Sequence, residues 1–118
     1  GMGGSIAAGA AVLDSESDGV LLMPCDQWAL EADDLQALVA SWRSDPTRIV
    51  TAIAGGQTMP PVIFPRELFT RLTRLSGEKG ARTIIEERSA IVTTVFMENA
   101  AFDLDTESDL RQLVRIDA

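Results

Sequence analysis

The sequence predicts an α/β fold, with one sheet and helices packed on both of its faces. Three observations lead there. Val20, Leu21, Leu22 and Met23 are apolar without a break, as in a strand covered on both faces. Leu35, Leu38, Val39 and Trp42 fall at i, i+3, i+4 and i+7, one buried stripe of a helix. Strand-like and helix-like segments then alternate along the chain, an order that favours a layered sheet.

Taken in order, Ser5 to Leu13 is small and apolar, with Ile6, Ala10 and Leu13 at helical spacing and Ser5 suited to cap them. "DSESDG", Asp14 to Gly19, is a polar loop before the first strand, Val20 to Met23. Pro24 ends that strand, since it has no N–H to give. A helix follows from Asp33 to Arg43. Glu31, Asp33 and Asp34 stand at its start and Arg43 at its end, each the favourable sign for the helix dipole. "RIVTAIA", Arg48 to Ala54, is rich in β-branched residues and reads as a strand. "GGQTMPP" reads as a loop, and Val62 to Phe64 as a short strand. Pro65 suits a first helical position, and Leu68, Phe69, Leu72 and Leu75 line one face of the helix it opens. "SGEKG" interrupts, a further helix carries Ala81, Ile84 and Ile85, and Ala90 to Phe96 is another strand. The last expected element is a helix from about Glu107 that buries Leu110, Leu113 and Val114. Thr106 with Asp109 gives it a weak capping box.

At 118 residues the chain fits a single domain, residues 1–118, with one core. A net charge of −8 argues against nucleic-acid binding through a basic face. It leaves nucleotides open, which need only local donors or a metal. The absence of histidine removes the commonest general base and the commonest zinc ligand. One cysteine cannot close an internal disulfide, and no signal peptide stands at the start, so the cytoplasm is the expected compartment. No apolar run approaches the ~20 residues of a membrane span.

Two carboxylate positions close strand-like segments. Asp26 ends "LLMPCD", and Asp103 and Asp105 lie in "FDLD". In open α/β sheets ligands bind beyond the carboxyl ends of the strands, and two carboxylates converging there suit Mg²⁺. The spacing also allows a plainer reading, because acids often end strands and "LDTESD" is a good helix start. "LSGEKGAR", Leu75 to Arg82, sets Gly77 and Gly80 around Lys79 and opens a helix. Its backbone N–H groups, with Lys79 or Arg82, can hold an anion; the same segment can be a linker capped by Ser76. Gly3, Gly4 and Ser5 likewise place glycines at a helix start, without the spacing of a dinucleotide fingerprint. Cys25 has no histidine to activate it and reads as a small buried residue. Trp28 and Trp42 read as packing residues and Met59 as a loop residue.

In this order the motifs resemble the MobA-like nucleotidyltransferases, the molybdenum-cofactor cytidylyl- and guanylyltransferase group, over nearly the whole chain. "GMGGSIAAGAAVL" is similar to the family's Gly-Met-Gly-x-Ser-hydrophobic segment near the nucleotide. "LLMPCDQW" resembles its Leu-Gly-Asp-Met-Pro or Asp-Gln-Pro motif. "PPVIFPRELFTRLTRLSGEKGAR" is similar to its Pro-Val-Leu-Phe-x-Arg-x-Leu-Phe…Leu-Ser-Gly-Asp-Lys-Gly-Ala-Arg run, the most specific match. "FDLDTESDL" resembles Asp-Ile-Asp-Thr-Pro-Glu-Asp-Leu.

The resemblance implies a three-layer α/β/α, Rossmann-like nucleotidyltransferase fold with a mixed sheet, of the nucleotide-diphospho-sugar transferase kind. It implies Asp26 and Asp105 as the metal and catalytic aspartates, with Asp103 a near neighbour, and Gly3, Gly4, Ser5, Gly77, Lys79 and Gly80 near the nucleotide. It implies Mg²⁺ as cofactor, and CTP or GTP and molybdopterin as partners: a pterin phosphate attacks the α-phosphorus and pyrophosphate leaves.

There are departures. Trp28 stands for the usual proline after Asp-Gln, Glu78 for Asp, and Glu107 for proline. Met59 and Pro60 stand where a Gly-His or Gly-Asn pair is common, on the side of the acceptor. The family's opening strand and its Leu-Ala-Ala-Gly-x-Ser-x-Arg-Met-Gly-x-x-Lys loop, which cradles the triphosphate, have no match in the chain. The fold is therefore expected to be incomplete at its N-terminal side and the chain catalytically incomplete. The edge of Val20 to Met23 is expected to be uncovered, with self-association through that edge or through flanking helices. A related transferase acting on a sugar phosphate, or a non-catalytic interaction module, are the alternatives.

Overall fold

The computed structural model describes residues 17–23, 29–74, 80–102 and 112–116. In chain order they form β1 (Gly19–Met23), α1 (Ala32–Ser44), β2 (Ile49–Ala54) and β3 (Gln57–Pro65). A 3-10 turn (Arg66–Leu68) then runs into α2 (Phe69–Thr73), followed by α3 (Arg82–Glu87) and a second 3-10 turn (Ser89–Ile91). β4 (Val92–Phe96), a third 3-10 turn (Glu98–Phe102) and β5 (Gln112–Ile116) complete the order. The strands make one mixed sheet in the order β4-β2-β3-β1-β5. β2 and β4 are parallel, and β3 is antiparallel to both β1 and β2. β1, β2 and β4 thus share one direction.

Side chains alternate across the sheet, and both faces are covered. Val20, Leu22, Ile49, Val62 and Phe64 pack with Leu68, Leu72, Ala81 and Ile84. Leu21, Val50, Ala52 and Ile63 pack on the other face with Leu38 and Trp42 of α1 and with Met97 and Ala100. The uninterrupted apolar run of β1 follows from this, since each successive residue enters one core or the other. The architecture is the three-layer α/β/α arrangement expected. The stripe on α1 is as expected too: Leu38 and Trp42 are buried, and Leu35 and Val39 half-buried beside them. Beyond the far end of α1, the hydroxyl of Thr47 donates to Asp45 at 2.6 Å and holds that carboxyl below its usual range. Its contribution to stability is present above the unfolded value and is lost as pH falls through the lower folded one.

"GGQTMPP" is not a loop. Gly55 and Gly56, at φ 59° and 77°, make a two-residue turn between paired Ala54 and Gln57. Two left-handed residues are what a type I′ hairpin needs, and glycine adopts them without steric cost. The strand that follows runs through Pro65, which pairs with Gly19 instead of opening a helix. The register shifts between Thr51 and Ala52, opposite Pro60 and Pro61, which have no N–H for the ladder. Buried Thr51 repairs part of that gap: its hydroxyl donates to the Met59 carbonyl at 3.1 Å. Thr51→Val keeps the shape and removes this donor, so urea unfolding is expected to show a loss of about 1 kcal/mol. An unchanged midpoint contradicts the role given to the hydroxyl.

Two further expectations are corrected at the carboxyl end. Leu113 and Val114 lie in a strand, not a helix; Leu110 is outside the described residues. β5 pairs antiparallel with β1 from Gly19↔Ile116 to Met23↔Gln112. A buried strand with a single neighbour leaves a row of N–H and C=O groups unpaired, and β5 satisfies them. The edge of Val20 to Met23 is therefore covered on both sides, by β3 and β5, and self-association through that edge loses its basis. Among the described residues Phe96, 73% exposed, is the one large apolar side chain left in solvent.

Candidate functional site

Because β1, β2 and β4 run in one direction, their carboxyl ends, Met23, Ala54 and Phe96, lie along one rim of the sheet. That is where ligands bind in open α/β sheets. The chain leaving β4 stays at this rim. The N–H of Met97 donates to the Ile53 carbonyl at 3.0 Å, and Met97 and Ala100 are buried on the α1 face. The 3-10 turn Glu98–Phe102 therefore lies across the end of β2 and reaches β3. Its Asn99 side chain donates to Oδ2 of Asp34 at 2.9 Å.

Asp34 sits in the first turn of α1, which starts at the same rim because α1 follows β1. Glu31 caps that helix, and the Glu31 N–H donates to Oδ2 of Asp34 at 2.9 Å, half of a reciprocal capping box. One carboxylate oxygen thus holds both the start of α1 and the turn after β4. Glu31, Asp33, Asp34 and Glu98 make this part of the rim acidic.

Asp26, Asp103 and Asp105 lie outside the described residues, as do Gly3, Gly4, Ser5, Gly77, Lys79, Cys25 and Trp28. The described chain flanks the acidic candidates closely. β1 ends at Met23, shortly before Asp26, and the third 3-10 turn ends at Phe102, immediately before Asp103. Gly80 is described: it is buried and left-handed at φ 56°, turning the chain into α3. Arg82 is exposed, with its Nε 4.0 Å from Glu86. Arg71 donates to both carboxylate oxygens of Glu87 at 2.7 Å, tying α2 to α3 on either side of residues 75–79. Met59 is not a loop residue. It is half-buried in β3 against the α1-face core, and its carbonyl is engaged by Thr51.

The link from Asn99 to Asp34 was not foreseeable as a contact, because the two residues are 65 positions apart. The one local signal is Glu31 followed three positions later by Asp34, the spacing of a helix start.

Residues 1–92 match the model of the MobA-like NTP transferase domain, and the chain belongs to that family of nucleotidyltransferases, which bind nucleoside triphosphates. It is also similar to the purine catabolism protein PucB of Bacillus subtilis (strain 168), 32% identical over 87 residues. That alignment covers 73% of this chain and 41% of PucB, so the chain spans less than half the length of that relative. Among the described residues no helix is long and apolar enough to cross a membrane.

Proposed function

We propose that the chain forms the metal and acceptor side of a Mg²⁺-dependent nucleotidyltransferase that moves CMP or GMP from CTP or GTP to molybdopterin. The observation that carries this reading is the common rim. β1 and β4, which precede Asp26 and the pair Asp103 and Asp105 in the chain, end at the same rim of the sheet, where Asn99 of the third 3-10 turn donates to Asp34 at the start of α1. An oxygen-only donor pair suits a hard, hydrated cation, and Mg²⁺ accepts one or two protein carboxylates beside phosphate oxygens. Bound there, the ion supplies charge neutralisation for a triphosphate that an acidic rim would otherwise repel.

The protein's own residues have the remaining work. Asp26 and Asp105 hold the cation. Backbone N–H groups around Gly3, Gly4, Ser5, Gly77 and Gly80, with Lys79, bind phosphate oxygens and hold the α-phosphorus in line with its attacker. A phosphate oxygen of the acceptor bonds to that phosphorus while the bond to the β-phosphate oxygen breaks, and pyrophosphate leaves. An ionised phosphate needs no base to remove a proton, which fits a chain without histidine.

A second acceptor class is favoured by one observation. Met59, at the position where the family commonly has a polar Gly-His or Gly-Asn pair, packs into the core instead of standing free. A sugar phosphate or another phosphorylated small molecule then takes the place of the pterin.

Titration of CTP and GTP into the chain, with and without MgCl₂, tests the reading. Binding is expected to require Mg²⁺ and to be lost in Asp26→Ala and in Asp105→Ala. Binding that ignores Mg²⁺, or that both variants retain, contradicts it.

A further inference from the structure

We infer that β4 is an interface for a second copy of this chain, the two β4 strands pairing antiparallel about a two-fold axis at Thr94. The interface goes beyond the proposed transferase and does not depend on it. β4 is an edge strand: in the order β4-β2-β3-β1-β5 it pairs, among the described residues, with β2 alone. Edges are ordinarily blunted by a lysine, a proline or a bulge. β4 has none of these. Its sequence, "VTTVF", is uncharged and wholly β-branched or aromatic, and its ladder runs from Ile49↔Val92 to Ile53↔Phe96 without a shift. Thr94 and Phe96 are exposed along it.

Self-complementarity selects a second copy as the occupant. The Met97 N–H donates to the Ile53 carbonyl, so the backbone groups of Met97 point toward β2. Successive residues of a strand alternate in this respect, so Thr93 and Val95 also face β2. The N–H and C=O groups of Val92, Thr94 and Phe96 point to the open edge. A two-fold axis at Thr94 sets Thr94 opposite the partner's Thr94, and Val92 opposite the partner's Phe96. All three residues then stand in hydrogen-bonded pairs. An axis at Thr93 or Val95 would present groups that β2 already holds. The side chains agree with this register. Val92, Thr94 and Phe96 share the face on which Val92 packs against the core under α2 and α3. Phe96 is covered there by the partner's Val92, an aromatic on a β-branched residue, and threonine meets threonine at the axis. Charge agrees as well. At the amino end of β4 the Arg48 guanidinium donates to the Thr93 hydroxyl at 2.8 Å and to the Val92 carbonyl at 3.4 Å, and Arg88 is exposed nearby. Glu86 and Glu87, at that same end, face Arg82 and Arg71. The carboxyl end leads to exposed Glu98. Antiparallel pairing brings the basic end of each strand to the acidic end of the other. Each β4 is used once, so association closes at two copies.

Sedimentation equilibrium of the whole chain at physiological salt, with thermal unfolding alongside, tests the interface. The wild-type chain is expected to be a dimer at about 100 µM, the strength that a small interface supplies. Thr94→Lys and Thr94→Glu each set like charges face to face at the axis. Each is expected to unfold cooperatively and to weaken the dimer by about a hundredfold or more. Mixed in equal amounts, the two variants are expected to regain a dimer, since Lys then meets Glu. A wild-type chain that stays monomeric overturns the inference and leaves the edge to an extended segment of a different protein. A dimer that both variants keep, a mixture that stays monomeric, or growth beyond two copies also overturns it. Amide exchange of the wild-type chain tests the register without any substitution. Between about 5 and 500 µM the Thr94 and Phe96 amides are expected to slow by about fivefold or more, as mass action fills the dimer. The Thr93 and Val95 amides, held by β2 at every concentration, are expected to stay as they are. Thr94 and Phe96 amides that ignore concentration place any dimer on another surface and overturn the inference.

Discussion

Gly19→Ala is expected to destabilise the fold, although alanine is ordinarily the better strand residue. Relief from glycine's extra backbone freedom is worth roughly 0.5–1 kcal/mol in favour of alanine. Against it stands a collision. A Cβ at Gly19 meets Cζ2 of Trp42 at 2.7 Å and Cε2 at 3.1 Å, with the Phe64 carbonyl oxygen at 3.3 Å. The indole cannot swing clear, because Trp42 is wholly buried between α1 and the sheet. The backbone on the other side is held by the pairing of Gly19 with Pro65 and Ile116. Overpacking of this kind costs about 1–3 kcal/mol, so the clash outweighs the relief and a net loss of about 1–2 kcal/mol remains. Thermal unfolding reads this as a midpoint lowered by roughly 5–10 °C. The cause is testable by a cycle with Trp42→Phe, which removes the ring that meets the Cβ. It also removes the buried Nε1, which has no hydrogen-bond partner among the described residues. In that background Gly19→Ala is expected to cost less by about 1 kcal/mol. An equal cost in both backgrounds contradicts the collision.

The second large effect concerns the ion. Asp26→Asn and Asp105→Asn are nearly isosteric and remove one negative charge each. Divalent affinity at an oxygen site depends on ligand charge and count, so each change is expected to weaken Mn²⁺ binding by more than about a hundredfold, beyond the range of residues that only orient ligands. Metal-free unfolding of each variant keeps this apart from a loss of fold. A general acidic surface behaves differently: there each lost charge weakens cation binding slightly and high salt abolishes the rest. The acidity of the rim, with Glu31, Asp33, Asp34 and Glu98 on described elements, makes this control necessary.

Most of the layered architecture was legible because single elements carry their own pattern. The stripe on α1 and the β-branched run of β2 need no partner to be recognised. The run Val20 to Met23 announces burial on both faces by lacking any polar residue. What was not legible depends on partners distant in sequence. Leu113 and Val114 suit a helix stripe and a strand equally, and the need of β1 for a second neighbour decides between them. Gly55 and Gly56 carried a hairpin signal between two strand-like runs, which Pro60 and Pro61 obscured by suggesting a loop. The bulge opposite Thr51 shows how a strand tolerates those prolines. At the rim, the sequence marks acids at strand ends but not the hydrogen bond that ties one strand's exit to the helix after the other. Gly80 is intermediate: two glycines around a lysine suggest a special turn, and its left-handed backbone is that turn.

The decisive property is whether the side chains of residues 26 and 105 grip the same ion. Mn²⁺ titration of the wild-type chain, the two Asn variants and the double variant measures this directly. The expected result is one ion per wild-type chain, a similar large loss in each single variant, and a double variant hardly weaker than either, because the second substitution acts on a site already lost. If one single variant binds as wild type does, or the two losses add as for separate sites, the carboxylates do not share an ion.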